Sequence, residues 1–252
     1  MLGYKELIRK YKINNLVETE HIIEKQRMIK DQEEISSLEK ACEITDNCFQ
    51  YILTYIKPGM TERQIADEIE EYYKKRTEGL SFETIVASGE NTSKPHAVPT
   101  DRKIQENDII TIDMGCKVNG YCSDMTRTFF VGEPTEEMKR VYDLVLNNQE
   151  FALDQYKEGA STRQVTKMVE NDFKLNGYDL IHSLGHGVGL EIHEPPYVGI
   201  RNDTNLRENM VVTDEPGIYI PGKFGVRIED TVQITKFGCV SLTNSEKGYV
   251  II

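Results

Sequence analysis

The chain of 252 residues carries 30 basic and 42 acidic side chains, a formal net charge of −12 at pH 7, and is 38% hydrophobic. This length and composition allow one large domain or two small ones around a sizeable core. The negative charge repels nucleic-acid phosphates and anionic lipid, so we expect no nucleic-acid partner and no membrane partner.

The N-terminus and the cysteines predict a cytoplasmic location. The opening MLGYKELIRKYK is charged and lacks the apolar run of a signal peptide, and no apolar run approaches a membrane span. The cysteines are odd in number and form no CxxC pair; they are Cys42, Cys48, Cys116, Cys122 and Cys239. Free thiols fit a reducing compartment.

The first elements in chain order are a short helix over residues 4–12 (YKELIRKYK), a possible strand over 13–18 (INNLVE) and a polar connection. The sequence Asp31-Gln32-Glu33-Glu34 has the spacing of a capping box. Apolar residues then recur at helical intervals from Ile35 to Ile56, and Pro58-Gly59 follows. This pattern predicts a long helix over 33–56.

Two segments, 56–82 and 156–180, resemble each other at an offset of 100 residues. Each follows a long amphipathic helix (33–56 and 136–157) and precedes Gly-rich, strand-forming sequence. Chance similarity of two helix caps is the alternative, but the matching order of flanking elements favours a duplication. Helices segregated from mostly antiparallel strands predict the α+β class. The matching positions are Lys57 and Lys157, Gly59 and Gly159, Arg63-Gln64 and Arg163-Gln164, and Ile65 and Val165.

The segment DIITIDMGCKVNGYCSDMTRTFFVG predicts a β-hairpin with Asn119-Gly120 in a type I′ turn. In that register Asp113 faces Thr126. Asp113 and Asp124 then share one face as diagonal neighbours, about 7 Å apart. Two carboxylates on apolar strands are costly to bury unpaired, so a cation should lie beside them: a metal ion, Arg127 or a lysine.

Acidic residues also interrupt Val- and Ile-rich strands near the C-terminus, where Glu215 ends VVTDE and Glu229 lies in GVRIED. The stretch HSLGHGVGLEIHEPPY (182–197) holds three of the five histidines. Clustered carboxylates cannot all ionise without cations. Carboxylates with one imidazole suit Mn²⁺, Fe²⁺, Co²⁺ or Zn²⁺, and two such ions can share a hydroxide and polarise a carbonyl for hydrolysis.

These residues resemble the dinuclear-metal peptidases of the pita-bread fold, which include methionine aminopeptidases, Xaa-Pro aminopeptidases and Xaa-Pro dipeptidases (prolidases). The resemblance implies an α+β fold with two pseudo-symmetric halves and a mostly antiparallel sheet covered by helices. It also implies two divalent metal ions per chain, with Mn²⁺ expected and Co²⁺, Fe²⁺ or Zn²⁺ as alternatives. The segments that carry it are TIDMG, YCSDMTR, GHGVGLEIHE, EPGIYIPG and VRIED.

The resemblance implies a metal-ligand set of five residues. Asp113 would chelate one metal, Asp124 and Glu229 would bridge both, and His186 and Glu215 would complete the other. Glu215 would also take a proton from the bridging water.

The resemblance further implies that His96, in SKPHAVP, and His193 hold the substrate and steady the tetrahedral oxyanion. His182 and Arg227 match substrate-binding positions typical of the proline-specific branch. Tyr219 and Arg227 would also support the metal ligands from behind. For His182 the alternative is a buried, hydrogen-bonded histidine.

Smaller features of these motifs also lead to expectations. Gly185, Gly187 and Gly189 argue against a helix and are expected to let backbone approach the metals. We expect Arg127 to form a structural ion pair, and Cys116 and Cys122 to be core or edge residues. The carboxylate of Asp214, beside Glu215, could weaken metal selectivity or point outward by strand alternation.

The predicted function is metal-dependent hydrolysis of Xaa-Pro bonds in short proline-containing peptides, by a hydroxide that bridges two divalent metals. VRIED with Arg227, and His182 four residues before His186, favour the Xaa-Pro branch; dipeptidase and aminopeptidase both remain open. The alternatives are a methionine aminopeptidase and a non-catalytic pita-bread module that binds proteins, although such modules typically lose metal ligands.

The Xaa-Pro enzymes usually carry an additional N-terminal domain. We interpret residues 1–30 as a remnant of that domain, in a trimmed or naturally shortened chain, and residues 31–252 as the catalytic domain. The domain contributes to oligomer contacts in the family, so a homodimer is an expectation that this short N-terminus puts in doubt.

Overall fold

The computed structural model describes residues 3–12, 19–201 and 203–252, so the strand predicted over 13–18 lies outside the described residues. None of the described helices is long and apolar enough to cross a membrane. The helices are α1 (Gly3–Tyr11), α2 (Ile22–Arg27), α3 (Gln32–Tyr55), α4 (Glu62–Lys74), α5 (Glu136–Gln155) and α6 (Thr162–Leu175). The strands are β1 (Ile85–Ser88), β2 (Ile109–Met114), β3 (Lys117–Val118), β4 (Tyr121–Cys122), β5 (Met125–Phe130), β6 (Gly185–Gly187), β7 (Glu194–Val198), β8 (Val211–Asp214), β9 (Gly217–Ile220), β10 (Phe224–Arg227), β11 (Asp230–Ile234) and β12 (Cys239–Ser241).

Helix α3 begins at the predicted capping box. The Asp31 side chain accepts hydrogen bonds from the backbone N–H groups of Glu33 and Glu34, and the Glu34 carboxylate accepts from the backbone N–H of Asp31. These contacts satisfy donors that have no partner within the helix. The predicted stripe from Ile35 to Ile56 is buried along its whole length, so the predicted helix is confirmed.

The repeated segments adopt the same backbone geometry. Gly59 and Gly159 have φ of +93° and +87°, values that L side chains rarely adopt. Each donates its backbone N–H to a carbonyl oxygen at 2.8 Å: Gly59 to Ile104, in the loop before β2, and Gly159 to Leu206, in the loop before β8. The sequence repeat therefore corresponds to a repeated helix–turn–helix unit, as predicted.

The predicted hairpin has the predicted register. In the β2–β5 pair Asp113 lies opposite Thr126. The β3–β4 extension closes around Asn119 and Gly120, whose φ values of +51° and +80° satisfy a type I′ turn. The alternation of side chains across this hairpin places Asp113 and Asp124 on the same face.

Two helix-covered sheets make up the two halves. The first contains β1, β2 and β5 in the order β1-β2-β5, and α3 and α4 pack their apolar faces against it. The second has the order β12-β11-β8-β6-β7 and, with the β9–β10 ribbon, packs against α5 and α6. The named strand pairs are all antiparallel, which agrees with the predicted α+β class.

The segment before Asp31 packs on the second half through buried charges. The Lys30 ammonium lies 2.9 Å from the Glu194 carboxylate, and both side chains are buried. Arg27 also pairs with Glu194 and, at 3.3 Å, with Glu191. Burial lowers the pKa of Lys30, while Glu194 opposes this by favouring the charged ammonium.

Candidate metal centre

The acidic residues singled out in the sequence meet where the two sheets join. Asp113 lies in β2 and Asp124 just before β5, whereas Glu215 follows β8 and Glu229 precedes β11. The backbone N–H of Glu229 donates to the carbonyl oxygen of Thr126 at 3.1 Å, which joins the two halves at this point. All four carboxylates line one cavity of about 350 Å³.

Four of the predicted ligands converge directly. Asp124, His186 and Glu229 are buried, and each offers a ligand atom within 4.8 Å of the others. The Nε2 atom of His186 is 3.4 Å from Asp124 Oδ2 and 3.4 Å from Glu215 Oε1. An imidazole surrounded by carboxylates is a donor set that suits divalent transition metals.

Asp113 stands at the edge of this cluster. Its Oδ2 accepts a hydrogen bond from Arg227 Nη2 at 2.7 Å, while its Oδ1 is buried and has no hydrogen-bond partner among the described residues. A buried carboxylate oxygen without a partner is costly, and a cation in the adjoining cavity would satisfy it.

The tautomer of His186 is suited to metal binding. Its Nδ1 lies 3.1 Å from the carbonyl oxygen of Gly187, which assigns the ring proton to that nitrogen. The Nε2 lone pair then points at the carboxylates. Burial lowers the pKa of His186, so the imidazole is neutral, the form that coordinates metals.

The carboxylates resist ionising together. Burial, and then the neighbouring Glu229, Asp113 and Glu215, raise the pKa of Asp124 well above its ordinary value. Burial also raises the pKa of Glu229 well above its usual range, and Glu215 and Asp113 add to the shift. The pKa of Glu215 is raised by burial, although His182 and Arg227 oppose the change. Divalent cations would remove this conflict, so the residues fit the metal ions that the sequence implies.

The two arginines beside the predicted ligands, Arg227 and Arg127, make different contacts. Arg227 is buried and reaches Asp113 from the second half, whereas Arg127 pairs with Asp230 at 2.6 Å, away from the cavity lining. The alternative that Arg127 compensates the hairpin carboxylates is therefore wrong. Lysine is absent from the described lining of the cavity.

The three other histidines predicted for the site line the same cavity. His96 and His193 lie in its wall, and the ring of His193 packs edge-on to that of His186 with centroids 4.3 Å apart. His182 Nδ1 contacts the carbonyl oxygen of Ser183 at 2.8 Å, and its Nε2 accepts from the Tyr219 hydroxyl at 3.0 Å. His182 is thus hydrogen-bonded, as the alternative to a substrate-binding role predicted, and it also forms part of the cavity wall.

The surroundings of the glycines and of Asp214 bear on the expectations for them. A Cβ on Gly185 would lie 2.1 Å from the carbonyl oxygen of Thr213, and one on Gly187 would lie 2.5 Å from that of Glu194. These glycines therefore allow close strand packing, and Gly185 also lines the cavity. That they let the backbone approach the metals stays a prediction. Asp214 points away from the cavity but not to solvent: it is fully buried and accepts from the Tyr156 hydroxyl at 3.0 Å.

Two classes of cavity residue were missed in the sequence. Thr126 donates to Glu229 at 2.6 Å, and Thr213 donates to Glu215 at 3.3 Å. Both lie two residues from a predicted ligand, so strand alternation could have found them. The apolar wall had no such local signal because its members come from separate segments; they are Phe82, Ile85, Ile192 and the ring of Tyr197. Cys116 and Cys122 are buried outside the lining, as expected.

Comparison with known proteins agrees with this fold. The chain is 42% identical to a Xaa-Pro dipeptidase of Pyrococcus horikoshii over 249 residues, which are 98% of this chain and 71% of the relative. The crystal structure of an X-Pro aminopeptidase from Thermotoga maritima superposes with a TM-score of 0.93 at 37% identity, over 100% of this chain and 72% of that one. A Xaa-Pro dipeptidase from Bacillus anthracis gives a TM-score of 0.93 at 40% identity, with the same coverage.

These likenesses confirm the predicted pita-bread fold and the prediction that the protein is a peptidase. Residues 36–236 match the sequence model of a protein family described as metallopeptidase family M24. This range contains all the carboxylates and histidines of the cavity. The chain belongs to metallopeptidase family M24.

Proposed function

We propose that this protein hydrolyses Xaa-Pro peptide bonds with two divalent metal ions, as a dipeptidase or an aminopeptidase. The observation that carries the proposal is the convergence of Asp124, His186, Glu215 and Glu229 in a cavity whose walls hold further histidines. The Xaa-Pro dipeptidase and X-Pro aminopeptidase names of the relatives support the choice of branch.

The metals would be held by the five predicted ligands, which are Asp113, Asp124, His186, Glu215 and Glu229. Bound in this way, the ions would polarise the substrate carbonyl and supply a hydroxide nucleophile at neutral pH. We expect Mn²⁺, with Co²⁺, Fe²⁺ and Zn²⁺ as alternatives.

Glu215 is proposed as the group that takes the proton of the attacking water. Burial raises its pKa above the ordinary value, which makes the carboxylate a better proton acceptor, and the proton would then pass to the leaving proline nitrogen. The hydroxyl of Thr213, 3.3 Å from Glu215 Oε1, fixes the orientation of the carboxylate.

His96 and His193 are proposed to bind the scissile carbonyl. Burial lowers the pKa of His193, so the ring is neutral and donates one N–H to the oxygen on which negative charge develops. His182 and Arg227 are proposed to bind the substrate beside them, and Tyr219 connects these two side chains through its hydroxyl. An Xaa-Pro bond lacks an N–H and has restricted geometry, so a cavity with apolar walls can select proline by shape.

Further predictions belong to this proposal. Short proline-containing peptides are the expected partners, and a cytoplasmic location and a homodimer stay predictions. We also propose residues 31–252 as the catalytic domain. The preceding segment contributes Arg27 and Lys30 to the anchoring of Glu194, and Met28 and Ile29 pack against the core, so residues 27–30 pack on that domain.

The test is a substrate panel of Ala-Pro, Ala-Pro-Ala and Met-Gly-Met on protein loaded with Mn²⁺ or Co²⁺. We expect cleavage of a proline-containing substrate, with Ala-Pro favoured by a dipeptidase and Ala-Pro-Ala by an aminopeptidase. Asp124→Ala should abolish it. Cleavage of Met-Gly-Met alone would indicate a methionine aminopeptidase, and a protein that binds neither metal would favour the binding module.

A further inference from the structure

A carboxylate outside the metal centre, that of Glu62, ties together the two ends of the segment that carries His96. Glu62 lies in the first turn of α4 and is fully buried. It accepts from the backbone N–H and the hydroxyl of Ser88, both at 2.7 Å. It also accepts from the backbone N–H of Thr100 at 3.0 Å and from its hydroxyl at 2.6 Å.

The segment between these two anchors forms part of the cavity wall. It begins with a 3₁₀ turn, Gly89–Ser93, within which Asn91 also donates to Glu62, at 3.1 Å. It continues to Pro95, whose carbonyl oxygen accepts from Arg227 Nη1 at 3.0 Å, and to His96. His96 is exposed at the cavity wall, and within the described residues its imidazole makes no hydrogen bond, so the backbone of this segment determines the point from which the ring extends.

We propose that Glu62 is a positioning residue for His96: one buried carboxylate closes the 88–100 segment and so fixes the imidazole against the substrate carbonyl. The inference rests on the proposed function, in which His96 binds that carbonyl. Glu62 itself does not line the cavity. Its effect on the reaction therefore passes through the loop, and a displacement of about 1 Å can cost roughly 100-fold in rate.

The charge of Glu62 is essential to this closure. Burial alone would raise the pKa of Glu62, but hydrogen bonds from Thr100, Ser88 and Asn91 outweigh it and hold the pKa below its ordinary value. All of these contacts are donated to the carboxylate. A glutamine offers one acceptor oxygen and an NH₂ group that faces the same donors, so Glu62→Gln must release part of the segment.

Glu62 could instead serve stability alone, because it also lies at the N-terminus of a helix, where a negative charge is favourable. A double-mutant cycle with His96 separates the two roles. Thr61→Ala is the matched control: Thr61 caps the same helix, but among the described residues its side chain makes no hydrogen bond to the 88–100 segment.

The experiment measures kcat and KM for Ala-Pro, with thermal denaturation, in wild type, Glu62→Gln, His96→Ala, the double variant and Thr61→Ala, all metal-loaded. We expect Glu62→Gln to lower kcat/KM by about 10- to 100-fold and to change it less than about twofold once His96 is absent. Thr61→Ala should lower the melting temperature without this loss. An equal fold-loss from Glu62→Gln in both backgrounds would overturn the proposal.

A second readout does not depend on turnover. In ¹H–¹⁵N spectra of Zn²⁺-loaded protein, the imidazole signal of His96 is identified by its absence from the His96→Ala variant. Glu62→Gln should shift or broaden this signal and leave the signal of the exposed His21 unchanged. If no Xaa-Pro substrate is cleaved by wild type, the proposed function fails and this signal decides about Glu62: an unchanged His96 resonance overturns the positioning role. Should Glu62→Gln not fold, Thr100→Val removes one donor hydroxyl and is read in the same way.

Discussion

Arg227 and Asp113 pair across the two halves of the molecule, with 2.7 Å between the guanidinium Nη2 and the carboxylate Oδ2. The same guanidinium donates to the Tyr219 hydroxyl at 2.9 Å and to the Pro95 carbonyl at 3.0 Å. One side chain of the second half thus holds a predicted metal ligand, a residue behind the cavity and the loop that carries His96.

Replacing Arg227 by lysine should therefore damage the site although it keeps the charge. The guanidinium has a fourth partner, the Thr126 hydroxyl, at 3.0 Å from Nε, and a single ammonium with three N–H groups cannot reach all four at once. We expect kcat/KM or metal affinity to fall by about 10- to 100-fold. Steady-state kinetics across a Mn²⁺ titration measures both, with Arg63→Lys on the exposed face of α4 as the control. Wild-type kinetics in Arg227→Lys would mean that charge alone is needed.

Lys30→Met should destabilise the fold. It leaves the buried carboxylate of Glu194 with Arg27 as its remaining charged partner, and breaking a buried ion pair on one side costs about 3–5 kcal/mol. Denaturant unfolding of wild type and variant measures the loss. Lys40→Met, which breaks an exposed pair with Glu43, should change stability by less than about 1 kcal/mol. Equal effects of the two substitutions would refute the argument from burial.

Much of the hairpin could be predicted from the sequence because its information is local. The Asn119-Gly120 turn fixes the register, and the two-residue period of a strand then places Asp113 and Asp124 on one face. His186, Glu215 and Glu229 were found from the resemblance of their motifs, since no local period connects residues in separate strands.

Long-range contacts account for what could not be predicted. Lys30 and Glu194 are 164 positions apart and leave no periodic signal. Strand alternation correctly predicted that Asp214 points away from the cavity. It could not predict that α5 and Tyr156 cover the face of the sheet on which Asp214 lies. Glu62 lies in an ordinary helix start, and its partners on the 88–100 segment become visible only in three dimensions.

Metal binding should release protons. Burial and mutual repulsion raise the pKa values of Asp124, Glu215 and Glu229, so the metal-free protein retains protons that a metal must displace. Titration calorimetry with Mn²⁺ at pH 7, in two buffers of different ionisation enthalpy, should give heats that differ by the number of protons released. Asp124→Asn should reduce that number and weaken binding, whereas Asp67→Asn on α4 should change neither. Identical heats in both buffers would contradict retained protons.

Asp214→Asn should stabilise the protein increasingly as the pH rises. Asp214 lies opposite Asp230, whose charge Arg127 and Lys247 already compensate. Burial raises the pKa of Asp214 well above its ordinary value, even though the Tyr156 hydroxyl opposes the shift. The contribution of the wild-type carboxyl group to stability is therefore fully present when the pH is below its pKa in the unfolded chain, about 3.9. This contribution is lost as the pH rises through the pKa of the group in the folded protein.

An asparagine keeps the acceptor for the Tyr156 hydroxyl but cannot ionise. The melting temperature of Asp214→Asn should therefore exceed that of wild type at pH 8 and be close to that of wild type near pH 4. Because the side chain faces α5 rather than the cavity, kcat/KM and the metal preference should stay at wild-type values. A shifted metal preference at unchanged stability would instead support the view that the extra carboxylate beside Glu215 weakens selectivity.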